Sequence, residues 1–221
     1  MIPGNHDYAY SGDVFDNYHY IDFSKQKIRA IFLNTADGGS ENISVAQLKW
    51  FAQVLDLSEK EDADQWGILI FSHHPLDWGN VAHASYILQA YLSGGSCLIT
   101  HEGTQFTCRF AGKNAAKVIA QFHGHTHCLK VDNLCYVTNS VAKPTKVQRI
   151  AIPNACFYRN NHYGGSDLSE YYGIEFGEDI TYNKTAGTVK DTAFCVVSID
   201  LDQNIIYAYC YGAGYDRIIQ Y

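Results

Sequence analysis

The chain has 221 residues, 47% of them hydrophobic and 18% charged, enough for one large domain with a sizeable core. A net charge of −7 disfavours a broad grip on the phosphate backbone of nucleic acid, and no run approaches the roughly 18 apolar residues of a membrane helix. Seven cysteines (97, 108, 128, 135, 156, 195 and 210) are scattered without a C-x-x-C pair, which argues against a zinc knuckle and against a small disulfide scaffold.

Pro3-Gly4-Asn5-His6-Asp7 is a turn by composition. A plain surface turn is the ordinary use of such residues. The sharper reading has Asn5 offering a carbonyl oxygen and His6 an imidazole to a site, with Asp7 orienting a neighbouring group. Residues 1–4 lack signal-peptide character and leave almost no strand ahead of the turn, so the chain is expected to start inside a domain. Residues 8–20 are aromatic and irregular. Lys27 to Leu33 alternates and then turns apolar, predicting a strand that ends at Asn34-Thr35, and Asp37-Gly38-Gly39 is a loop. Ser44 can cap a helix running to about Leu57, with Val45, Leu48, Phe51, Ala52 and Leu55 as its buried stripe. Residues 58–65 form an acidic, solvated connection.

Trp66-Gly67-Ile68-Leu69-Ile70-Phe71 is a continuous apolar run, as in a strand buried on both faces of a helix-covered sheet. It ends at Ser72-His73-His74-Pro75, where Pro75 stops the ladder and favours an extended His74. Open α/β sheets place their sites at such carboxyl ends. A single histidine there is often a satisfied residue at the core's edge, but two in succession before a proline favour a site. Ala82 to Leu92 suits a helix with Ile87, Leu88 and Tyr91 on its apolar face, ended by Gly94-Gly95. Short strand-like pieces surround His101 and Phe106. Lys117 to Phe122 is a second buried-type strand, and it delivers His123-Gly124-His125-Thr126-His127, three histidines in five residues. Alternate residues of a strand share a face, so His123, His125 and His127 can converge on a metal, and Gly124 lets the backbone bend. A histidine-rich strand end without a ligand role is the plain alternative.

Residues 135–137 and 147–152 read as further strands, the second ended by Pro153-Asn154. Residues 157–191 are polar, tyrosine-rich and without periodicity, an irregular excursion. Residues 193–199 and 205–209 flank Asp202-Gln203-Asn204 as a β-hairpin, and residues 212–217 are a terminal loop. No internal repeat stands out, and one domain over 1–221 is the simplest division.

Three short patterns occur in order: G-N-H-D at 4–7, H-H-P at 73–75 and G-H-T-H at 124–127. Together, on these elements, they resemble the calcineurin-like metallophosphoesterase family over most of the chain, and the stretch from Lys184 to Arg217 is similar to bacterial and phage members. The resemblance implies an α/β fold, a sandwich of two facing β-sheets flanked by helices. It also implies two divalent metal ions (Mn, Fe, Zn or Ni) at the strand ends. Matched by motif, Asn5, His73 and His125 bind one ion and His127 binds the other. His6 contacts the substrate phosphate and protonates the leaving oxygen, supported by Asp7. His74 and His123 are neighbours outside the implied ligand set. Two cations about 3.5–4 Å apart suit phosphate-ester hydrolysis because they neutralise the phosphoryl oxygens and acidify water.

The family pattern opens with D-x-H and G-D-x-x-D ahead of G-N-H-D, and neither precedes it here. Residues 12–16 spell the second, but on the wrong side of G-N-H-D, a chance match. An N-terminally truncated relative or a fragment of a longer enzyme is therefore expected, retaining one ion or none. A homodimer is expected to cover the sheet edge thus exposed. Two functions compete. One is a hydrolase of phosphomonoester or phosphodiester bonds, impaired by the missing ligands and acting on a small phosphate ester. The other is a non-catalytic binding or structural module that retains the fold. Tyr158, His162, Tyr163 and Tyr171 of the excursion are candidates for lining the pocket, with a surface loop as the equal alternative. Free thiols suggest a reducing, cytoplasmic setting, although an even subset of the cysteines can still pair.

Overall fold

The computed structural model describes residue 2 and residues 18–39, 41–126, 129–138, 141–153, 188–189 and 192–221. Asn5, His6, Asp7 and His127 lie outside these residues, as does the 157–191 excursion apart from residues 188 and 189. The described residues form a mixed α/β protein with several sheets, few helices and no barrel. No helix among them is long and apolar enough to cross a membrane. The chain divides into two compact units, Met1–His123 with Asn133–Gln148, and Gly124–Asp132 with Arg149–Tyr221.

In the first unit, β1 (His19–Phe23) and β2 (Ile28–Phe32) form an antiparallel hairpin. Lys27 takes φ 52° to close its turn. β2 then pairs in parallel with β3 (Gly67–Ser72), and β3 pairs in parallel with β6 (Lys117–His123). A parallel pair needs a crossover. The first crossover is α1 (Val45–Leu55), and the second holds α2 (Ala82–Leu92) with the hairpin β4 (Ser96–His101) and β5 (Thr104–Arg109). With β7 (Val131–Thr138) and β8 (Val141–Ala151), the main sheet has the order β1-β2-β3-β6-β8-β7.

The helices pack on one face of this sheet. Leu48, Phe51 and Leu55 of α1 and Ile87, Leu88 and Tyr91 of α2 share a core with Ile31, Ile68, Ile70 and Val118. On the other face Ala30, Leu69 and Ala120 are buried as well, so β3 is covered on both sides, as its unbroken apolar run predicts.

Two details differ from the sequence reading. The stripe of α1 buries Gln47 and Val54, while Val45 and Ala52 are only half-buried. Gln47 tolerates burial because its amide is satisfied twice. Asn34 N–H donates to Oε1 at 2.8 Å, and Nε2 donates to the Asn34 carbonyl at 2.7 Å. The other detail concerns strands: β1 emerges from a stretch read as irregular, and Arg217–Gln220, adjoining the predicted terminal loop, is strand β11. Both are too short for alternation to stand out in sequence.

The second unit contains the sheet β11-β10-β9, with β9 (Ala193–Asp200) and β10 (Ile205–Gly212) as the predicted hairpin. Arg217 anchors β11. Its Nη1 donates to the Ala151 carbonyl at 3.3 Å and to the Lys130 carbonyl at 3.5 Å. Asp132 and Arg149 form a bidentate pair at 2.5 and 2.6 Å. Burial pushes the Asp132 carboxyl up, but Arg149 and Lys130 together outweigh this and hold it below the usual carboxylate range.

Candidate metal centre

β3 and β6 run side by side, shift register once between Ile68 and Leu69, and stay paired to their ends, where Ser72 lies opposite His123. The chain therefore leaves both strands at the same edge, the carboxyl edge where parallel sheets gather functional groups. One row back, Phe32, Phe71 and Phe122 stack across three strands, with ring centroids 5.0 and 5.2 Å apart. His19 extends the row against Phe32 at 4.7 Å. Cross-strand aromatic pairs of this kind hold register, so the strand ends that carry the histidines are fixed against slippage.

His73 and His74 follow β3. Their rings meet edge to face at 4.7 Å, with His74 fully buried and His73 half-buried. His74 is held from several sides. Its backbone N–H donates to Thr35 Oγ1 at 3.1 Å, and its Nδ1 lies 2.8 Å from the same oxygen. Its carbonyl accepts from Ser72 Oγ at 2.7 Å, and Ser72 Oγ accepts from Gln121 Nε2 on β6 at 2.8 Å. Thr35 is positioned in turn by Asn34, whose backbone is clasped by Gln47 and whose Oδ1 accepts from Ala36 N–H at 3.0 Å. Buried hydrogen bonds thus tie α1 to Asn34, and its chain neighbour Thr35 to the His74 ring.

The tautomer of His74 decides its chemistry. If Nδ1–H donates to Thr35 Oγ1, the Nε2 lone pair is available to a cation. If Thr35 donates to Nδ1, Nε2–H becomes a donor suited to an anionic oxygen.

His125 adopts φ 56°, left-handed backbone that a residue with a Cβ rarely takes. Thr126 N–H donates to the Gly124 carbonyl at 2.6 Å across it, closing a three-residue turn. Backbone in such sparsely populated regions clusters at functional sites. His73 and His74, adjacent at the end of β3, offer imidazoles, which suit borderline divalent ions such as zinc, iron or nickel.

Of the four expected ligands, His73 follows β3 in the first unit and His125 follows β6 in the second. Asn5 and His127 lie outside the described residues, as do His6 and Asp7. His123, set aside in the sequence reading, is buried. His74, also set aside there, is the more deeply buried of the two histidines after β3 and is braced by Thr35, and the adjacency of the two is the signal that could have found it. Thr35 carried no such signal, because its partner is 39 residues away. His101 has a structural setting, with Nε2 2.9 Å from the Ile43 carbonyl.

No family model matches this sequence, and no curated protein matches it.

Proposed function

We propose that this chain is a metal-dependent hydrolase of phosphomonoester or phosphodiester bonds, built as a calcineurin-like sandwich of two facing sheets flanked by helices. The observation that carries the proposal is the placing of His73 and His74 at the carboxyl end of a buried parallel strand. His73 and His125 are residues that the family resemblance assigns as ligands. The order of the three motifs supports the same reading.

In this reading His73 and His125 hold a divalent ion together with Asn5, and His127 serves a second. Bound there, the ions would supply Lewis acidity to phosphoryl oxygens and to water. The remaining chemistry falls to the chain. Thr35 fixes the ring of His74, either as a further ligand or as a donor to a phosphoryl oxygen. The brace of Ser72 and Gln121 holds the backbone between the two histidines and β6. His6 gives its proton to the leaving oxygen, so that the alcohol departs neutral rather than as an alkoxide, and Asp7 keeps that imidazole oriented.

The test is turnover of a chromogenic phosphodiester with and without added Mn²⁺. The proposal predicts Mn²⁺-dependent hydrolysis whose kcat falls roughly 100-fold or more in His6→Ala, the scale of a lost general acid. Hydrolysis unchanged by that substitution would contradict the assignment. A chain that holds metal but turns over no phosphate ester would be the non-catalytic module.

A further inference from the structure

The β9–β10 hairpin carries a cysteine pair that phosphate chemistry does not use. Cys195 and Cys210 lie directly opposite each other in its antiparallel register. Opposed residues on antiparallel strands have Cα atoms about 4.5–5.5 Å apart, inside the roughly 4.4–6.8 Å span of disulfides. The two Sγ atoms are 2.7 Å apart, and both residues are half-buried, neither sealed in the core nor fully exposed.

The two thiols differ in setting. Burial, and then the hydrogen bond with Cys195, push the Cys210 thiol up to about 12. Beside Cys195, Arg217 Nη2 lies 3.8 Å from Sγ, and the guanidinium is pinned by the Ala151 and Lys130 carbonyls. Two sulfurs in contact, with a fixed cation beside one of them, form the kind of environment in which thiol–disulfide exchange proceeds.

We propose that Cys195 and Cys210 are a site of reversible oxidation, in which a small disulfide such as oxidised glutathione closes a cross-strand disulfide between β9 and β10. The Cys195 thiolate attacks one sulfur of the small disulfide. That S–S bond breaks, one thiolate leaves and takes a proton from water, and Cys195 carries a mixed disulfide. Cys210 then gives up its proton and attacks the Cys195 sulfur, expelling the second thiolate. The protein loses two electrons and two protons, and the small disulfide becomes two thiols.

The experiment treats the whole chain with oxidised glutathione, alkylates the remaining thiols and maps the peptides by mass without reduction. The peptides of Cys195 and Cys210 should be recovered joined, and dithiothreitol should return both to thiols. In Cys210→Ser the glutathione adduct should persist on Cys195. In Cys195→Ser the adduct on Cys210 should form several-fold more slowly. The proposal is overturned if both wild-type cysteines are alkylated after oxidation, or if either is recovered joined to another cysteine. It is also overturned if Cys195→Ser takes up glutathione as fast as Cys210→Ser.

Discussion

Two buried polar residues of the first unit carry the heaviest consequences for a single substitution. Arg29 is buried, and its guanidinium bonds both Asp22 oxygens at 2.7 and 2.8 Å and the Val54 carbonyl at 2.9 Å. The Arg29 hydrogen bond holds the Asp22 carboxyl below the usual carboxylate range, against the opposing effect of burial. Asp22→Asn should cost about 2 kcal/mol in urea denaturation. That is less than the roughly 3–5 kcal/mol of a fully buried pair, because Asp22 keeps 18% of its side chain exposed. A carboxyl lowered in the folded state stabilises fully above its unfolded value, and that contribution fades as pH falls through the lower folded value. The stability gap between wild type and Asp22→Asn should therefore be widest above about pH 4 and close in more acidic solution. A gap that widened on acidification would contradict the pairing. Thr35 acts on the site instead. Thr35→Val keeps the side chain's shape but removes the oxygen that faces His74 Nδ1. If His74 is a ligand, metal affinity measured by chelator competition should drop roughly 10–100-fold, the usual effect of losing a histidine's outer partner.

Among the elements, each helix has its ends satisfied in a different way. Ser44 caps α1 by accepting from Gln47 N–H at 3.2 Å, while its own N–H and hydroxyl donate to the Asp37 carboxylate at 2.7 and 2.6 Å. α2 closes with Gly94 at φ 62°, its N–H on the Tyr91 carbonyl and Gly95 N–H on the Ala90 carbonyl, which satisfies two end carbonyls. The Ser44 cap does more than end a helix. α1 presents Gln47, and Gln47 positions Asn34 and Thr35 beneath His74. Ser44→Ala should lower stability by about 1 kcal/mol, read by thermal or urea denaturation. An unchanged midpoint would show that the cap carries little.

At the scale of the whole molecule, the sequence discloses most clearly what is local and periodic. The apolar run that became β3, the helix from Ala82 to Leu92 and the β9–β10 hairpin are legible because each repeats its own period between turn residues. The short strands β1 and β11 were not legible, since four or five residues show too little alternation to separate them from loop. His73 and His125 were legible for a different reason: they sit in recognisable motifs at strand ends. His74 and its support from Thr35 and Gln47 depend on contacts between residues far apart in sequence, and no pattern in one chain marks such contacts. The charge of the whole fits the proposed function. With −7 overall and no broad basic surface legible in the sequence, a phosphate ester bound as proposed would need metal to supply the positive potential. The most direct measurement is metal content by elemental analysis of the purified chain after exhaustive buffer exchange. It should be run beside the double variant His73→Ala/His125→Ala. We predict at least one divalent ion per wild-type chain and its loss from the variant. Wild-type chains without metal, or metal retained undiminished by the variant, would contradict the account.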